Sequence, residues 1–111
     1  MEGKKELPVK ISIQFLVDLD EVFQYGNETF GLAQAERYEQ QIWQMVESLN
    51  QNYLLFPECR FLPTKSKRYR WIILDSHLLI YRITKREIQV LRILHAQRSI
   101  NTIKSSRNVK L

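Results

Sequence analysis

The sequence predicts an α+β fold in the order β-α-α-β-β-β, and three observations carry that prediction. His77–Ser99, HLLIYRITKREIQVLRILHAQRS, reads as two strands around a charged turn. Two stretches in the first half place apolar residues at helical spacing. Short links separate the last three strand candidates, which makes them an antiparallel meander. The expected architecture is an N-terminal strand, a helical hairpin packed on an antiparallel sheet with a C-terminal three-strand meander, and a short C-terminal tail.

Val9–Lys10–Ile11 follows Pro8 as a short strand candidate. Ser12 is placed to cap the helix after it, because its hydroxyl accepts from a free backbone N–H of the first turn. Phe15, Leu16, Leu19, Val22 and Phe23 fall on one helical stripe, with Asp18, Asp20 and Glu21 off it. Gly26 and Asn27 weaken the end of this helix, and Gly31 is a natural break. A second helix is predicted from about Ala33 to Leu49. Tyr38, Ile42, Met45, Val46 and Leu49 form its apolar stripe, Trp43 widens it, and Glu36, Arg37, Glu39, Gln40 and Gln41 give it a wet side. Both stripes read as core, since a sheet face needs an apolar lid.

Phe56–Pro63 carries a proline near each end and reads as a loop. Strand patterning resumes at Tyr69–Leu74, and Asp75–Ser76 makes a turn. Leu78–Tyr81 is apolar at every position, as a strand covered on both sides must be. After Thr84–Lys85–Arg86 the chain returns through Ile88, Val90, Leu91, Ile93 and Leu94, then stops with His95 and Arg98 at the strand's end. His77 reads as exposed. Arg92, inside a strand, needs a compensating carboxylate, with Asp18, Glu21 and Glu36 as candidates. Arg82 is expected either to pair in the same way or to line the open face. The tail from Ser99, anchored by Ile100 and Ile103, reads as a short helix or partly disordered. One domain over 1–111 is expected, with its core at about 9–98.

Charge is unevenly divided. Residues 1–56 hold four Lys/Arg against nine Asp/Glu, a balance of −5, whereas residues 57–111 hold thirteen against three, a balance of +10. A basic half suits nucleic acid or an acidic protein partner; the bland alternative is a solubility device. Lys65, Lys67, Arg68 and Arg70 form the densest cluster, KSKRYR, which reads equally well as a solvated loop. A single Cys59 and two His argue against a structural zinc site, and no cofactor is expected. Cys59 has no neighbouring His in sequence, which argues against a nucleophilic role. No apolar run approaches membrane-spanning length, and MEGKKELPVK lacks the apolar region of a secretory signal, so a cytoplasmic location is expected.

The series of residues resembles the RelE/ParE superfamily of toxins from bacterial type II toxin–antitoxin modules. Ser12 with Asp18–Leu19–Asp20–Glu21–Val22 looks like the family's strand end and first helix. Phe30–Gly31 with Ala35 and Tyr38 looks like its inter-helix break and second helix; Leu49 and Pro57 match that helix's end and the loop beyond. Tyr81–Arg82–Ile83, then Val90–Leu91–Arg92–Ile93–Leu94–His95 and Arg98, matches the two final strands and their closing motif. The resemblance implies a toxin neutralised by a cognate antitoxin, whose disordered segment folds against the helices and sheet.

Two mechanisms divide the superfamily. RelE-like members cut mRNA in the ribosome, and ParE-like members poison DNA gyrase. The nuclease branch commonly uses two Lys at alternate positions of one strand, an Arg on the next, and a C-terminal Arg with Tyr. Here the corresponding positions read Arg70 then Ile72, Leu78, and Arg98 with no Tyr after it. Arg70, His95 and Arg98 are the catalytic candidates if the protein is a nuclease; a hydrogen-bonded structural role is the alternative for His95. The departures favour the ParE-like branch, hence a plasmid-stabilisation-like toxin that inhibits growth through gyrase rather than an enzyme. Lys65, Lys67, Arg68, Arg70 and Arg98 are then the target-binding candidates. The alternatives are a ribosome-dependent mRNA endonuclease, with ribosome and mRNA as partners, and a degenerate member that only binds antitoxin.

Overall fold

The computed structural model describes residues 5–111; the first four residues of the N-terminal segment, part of the signal-peptide reading, lie outside them. The chain runs through β1 (Val9–Ile11), α1 (Ile13–Phe30), α2 (Leu32–Asn52), β2 (Tyr69–Ile73), β3 (His77–Ile83), β4 (Ile88–His95) and a short α3 (Ile100–Lys104), then a 3-10 turn at Ser105–Asn108. The sheet order is β1-β4-β3-β2. β2, β3 and β4 form the expected antiparallel meander, while β1 pairs parallel with β4, so the whole sheet is mixed.

Ser12 begins α1 as predicted, its hydroxyl accepting from Phe15 N–H at 2.9 Å. The helix does not weaken at Gly26 and Asn27 but runs to Phe30. A single residue then separates α1 from α2. Gly31 N–H donates to the Asn27 carbonyl, its own carbonyl accepts from Ala35 N–H, and its φ of 94° is one that side chains other than glycine's resist. The hairpin's inward stripe of Phe15, Leu19, Ile42, Val46 and Leu49 packs on Ile72, Leu79, Tyr81, Val90 and Ile93 from one face of the sheet. Phe15 and Trp43 meet edge to face at 5.9 Å, which gives Trp43 its place beside that stripe.

The opposite face has a core of its own. Tyr69, Trp71, Leu78, Ile80, Leu91 and Leu94 are covered by Cys59 and Leu62 of the loop after α2, and by Ile103 of α3. β3 therefore is buried on both sides, as its unbroken apolar run required. Of the two expected tail anchors, Ile103 is buried and Ile100 is half exposed; Val109 packs on this core instead. Arg82 holds the tail down, donating to the Val109 carbonyl at 3.0 Å and to Gln89 Oε1 at 2.7 Å. It thus lies on the tail face and takes no helix carboxylate. The same loop shields the free edge of β2, with Cys59 N–H donating to Tyr69 and Trp71 N–H to Pro57.

The largest departure from the hydropathy pattern is Asp18. It lies off the apolar stripe, yet it is 4% exposed. β1 ends opposite Val90, so the following residues of β4 have no strand partner on that side. The start of α1 supplies what the strand lacks. Ser12 N–H donates to the Val90 carbonyl at 3.0 Å, and Ser12 Oγ donates to Leu91 at 2.7 Å. Asp18 accepts Ile93 N–H at 3.1 Å and takes Arg92 in a two-pronged pair at 2.7 and 2.9 Å. The carboxylate that Arg92 required is thus Asp18, one of the candidates on α1.

Asp18→Asn removes the charge while keeping the shape, leaving Arg92 unpaired against largely buried surroundings. Urea unfolding at neutral pH should show a loss of about 2–4 kcal/mol. A loss under about 1 kcal/mol would mean the pair is not what holds α1 to β4. Ser12→Ala deletes one bond in the helix cap and one to the strand edge, and should cost about 1–3 kcal/mol in the same assay.

Candidate functional site

The sheet has two ends, and the charged and titratable residues divide between them. At one end, where β2 starts and β3 finishes, Tyr69 pairs with Arg82 and Ile83 N–H donates to the Arg68 carbonyl. This brings the loop carrying Lys65, Lys67 and Arg68 against the β3–β4 turn carrying Lys85 and Arg86, and all five cations are exposed. Lys67 adopts a φ of 55°, the left-handed conformation, where its N–H closes a turn onto the Thr64 carbonyl. The Arg82 bonds to the Arg107 and Val109 carbonyls draw the end of the tail to the same place.

Arg70 is built into this end. Its guanidinium donates to the carbonyls of Lys67 at 3.1 Å, Leu54 at 3.3 Å and Phe56 at 2.9 Å, tying the loop before β2 to the segment after α2. Arg98 is not part of the cluster. It follows β4, at the far end of strands whose seven residues of β3 span roughly 20 Å. The structure thus brings Lys65, Lys67, Arg68 and Arg70 together and leaves Arg98 apart.

The other end carries a groove of about 570 Å³ between the hairpin tip and the β2–β3 turn. Phe23, Tyr25, Phe30 and Tyr38 line one side, and Asp75, His77 and His95 the other. His77, expected to be exposed, is 8% exposed, because α2 passes over the start of β3 and places Tyr38 on it. Tyr38 Oη and His77 Nδ1 lie 2.9 Å apart. His77 also faces His95 across the strand pair, ring centroids 5.5 Å apart. Burial, then the neighbouring His95, pushes the His77 pKa down, and burial with the Asp75 charge pushes the Tyr38 phenol up. His95 itself is exposed, its Nδ1 accepting Gln97 N–H at 3.1 Å, so it has a structural bond where the strand ends. Sequence reasoning missed the Tyr38–His77 contact because 39 residues separate the pair. The only local signal was that Tyr38 fell on the apolar stripe.

The nuclease positions do not share a surface. Register pairs Ile72 with Leu79 and Ile73 with Leu78, so Ile72 packs under the helices while Leu78 packs under the tail. They belong to two buried cores on opposite faces of the sheet. Cys59 is fully buried in the tail-side core, and burial raises its thiol pKa.

Since His77 holds a proton less readily folded than unfolded, the unfolded chain binds more protons once pH falls below about 6.5. The stabilisation from neutral His77 is complete above that value and is lost as pH drops through the lowered folded pKa. Urea midpoints between about pH 7.5 and 5.5 should fall further for the wild type than for His77→Gln. Equal slopes for the two proteins would remove His77 from the account.

The sequence model described as the ParE toxin of type II toxin-antitoxin system, parDE, matches residues 9–100. No curated protein matches the chain. Among solved structures, one titled as the chromosomal ParDE TA system from P. aeruginosa has a similar fold, with a TM-score of 0.68 at 22% identity. The match covers 83% of this chain and 98% of that one. Among the described residues, no helix is long and apolar enough to cross a membrane. With the two-helix hairpin, the mixed sheet and 92 consecutive residues matched, the chain belongs to the ParE toxin family of type II toxin–antitoxin systems.

Proposed function

We propose that this protein is a growth-inhibiting toxin that acts on DNA gyrase in the cytoplasm and is neutralised by a cognate antitoxin. The observation that supports this reading over RNA cleavage is the sheet face away from the helices. A nuclease of this superfamily needs cations over a strand surface, where they hold a scissile phosphate. Here that surface is a packed apolar core of Trp71, Leu78, Ile80 and Leu94 beneath the loop and tail, and the face that carries Ile72 and Leu79 is packed beneath the helices. Arg70, the one cation on β2, spends its donors on three backbone carbonyls. The remaining nuclease candidates, His95 and Arg98, sit at the opposite end of the sheet. Binding through the cluster of Lys65, Lys67 and Arg68, positioned by Arg70, requires no reacting group.

Neutralisation needs apolar surface for a folding segment to cover. Ile13, Leu16 and Val17 lie on the outer face of α1, with Ile13 80% exposed; Tyr25, Phe30 and Leu32 project at the hairpin tip. These two patches meet the antitoxin in our reading, since exposed apolar residues in such groups mark interaction surfaces.

In a supercoiling assay with purified gyrase, the wild-type chain should stall the reaction and accumulate cleaved plasmid, and adding antitoxin should relieve both. Replacing both His95 and Arg98 by Ala should leave this inhibition within about twofold, since neither does covalent chemistry. Rapid translation arrest with cut mRNA, abolished by the same double substitution, would establish the endonuclease reading instead. Normal growth at high expression would mark a chain that binds antitoxin without being toxic.

A further inference from the structure

We propose that the basic end of the sheet is a binding surface for the phosphate backbone of duplex DNA. The inference deepens the gyrase reading and rests on it for the source of the ligand, because gyrase works on duplex DNA.

Three segments distant in sequence converge there. Lys65, Lys67 and Arg68 come from the loop before β2, Lys85 and Arg86 from the β3–β4 turn, and Arg107 and Lys110 from the tail. Arg82 is the joint, since its guanidinium holds the tail's carbonyls while its backbone pairs with Tyr69 beside the loop. All seven cations are exposed, and none is in a salt bridge among the described residues, where the sole pair is Arg92–Asp18. The acidic groups nearby are engaged: Glu58 accepts Thr64 N–H, and Glu87 accepts from the Gln89 side chain. The cations thus face solvent with no carboxylate partner in the fold, Arg68 also lying over the Tyr69 ring at 5.5 Å, although like charges held together repel one another.

The chemistry of this end selects among anionic partners. An acidic peptide needs apolar anchors for a stable complex. The larger groups of exposed apolar residues, on α1 and at the hairpin tip, lie elsewhere, and this end offers only the scattered Leu54, Leu55 and Leu111. Single-stranded nucleic acid is held by bases stacked on exposed aromatic rings. At this end Tyr53 and Tyr69 are buried, and the exposed aromatics Tyr25 and Phe30 belong to the opposite groove. Charge therefore dominates this end, and duplex DNA is the polyanion that binds by phosphate neutralisation without needing apolar or stacking contacts.

The test uses the full chain, a short fluorescein-labelled DNA duplex of arbitrary sequence, and anisotropy titrations across a range of salt. Lys85→Glu with Arg86→Glu should weaken binding at least about tenfold and flatten the slope of log affinity against log salt by about 2. Arg107→Glu with Lys110→Glu, on the tail, should act in the same direction; circular dichroism and the unfolding midpoint verify that each variant is folded. Unchanged duplex affinity in both folded variants would overturn the proposal. So would a wild-type chain that prefers polyglutamate or single-stranded RNA to the duplex. Gyrase inhibition is measured beside it: duplex binding with these properties but no gyrase inhibition leaves the DNA surface standing and sinks the gyrase reading.

Discussion

The fold depends on how one strand edge is closed. β4 is central at its start, with β1 on one side and β3 on the other, but β1 stops after three residues. The rest of β4 would leave backbone groups unpaired beneath a helix, which folded proteins avoid because each costs most of a hydrogen bond. Ser12 and Asp18 satisfy that edge from α1, and Arg92 neutralises the carboxylate brought in to do it. The direction of α1 across the sheet follows from those contacts. So does the place of the hairpin, because the one-residue link at Gly31 lets α2 only fold straight back.

This arrangement explains which features were legible in the sequence. The helical stripes, the Ser12 cap, the break at Gly31 and the both-faced burial of β3 are local or periodic properties and appear where the sequence placed them, Leu16 excepted. Leu16 was put on the α1 core stripe and is 46% exposed, because the helix turns Phe15, Asp18 and Leu19 to the sheet instead. Asp18, off its helix's stripe yet buried, and His77, expected exposed yet buried, share one cause. Both are polar residues buried by partners far away in the chain, 74 or 75 residues for Asp18 and 39 for His77. Arg92 exposed half of the first case, since a charge within a strand demands a partner, and α1 was among the places to look. Nothing comparable flagged His77, whose neutral ring can be buried without a counter-charge. The parallel pairing of β1 was equally hidden, because three residues carry no register signal.

The candidate residues do not all share one surface, and strand direction is the reason. Listing Arg98 with Lys65, Lys67 and Arg68 treats basic residues as one surface, but strand direction decides which end each reaches. β2 and β4 run the same way, so residues before β2 and residues after β4 sit at opposite ends. The comparison of Ile72 with Leu78 failed on a second rule of strands. Alternation sends cross-strand partners to one face, and here the partner of Ile72 is Leu79. A one-residue difference in register therefore puts Ile72 and Leu78 in different cores.

A small sheet buried on both faces has little surface left for function except its ends and the outer side of its helices. Here those regions differ in character. The hairpin exposes apolar side chains, the groove end gathers aromatic and imidazole groups, and the other end gathers exposed cations. Apolar surface draws its affinity from burial, whereas cations draw theirs from charge and counterion release. A partner suited to one region therefore has little reason to compete for the other. An antitoxin segment seated on the hairpin would neutralise the toxin by shape or by obstruction while leaving the cationic end physically open. If the cationic end is where DNA is held, the antitoxin-bound chain should keep its attraction to DNA even as it loses access to the enzyme.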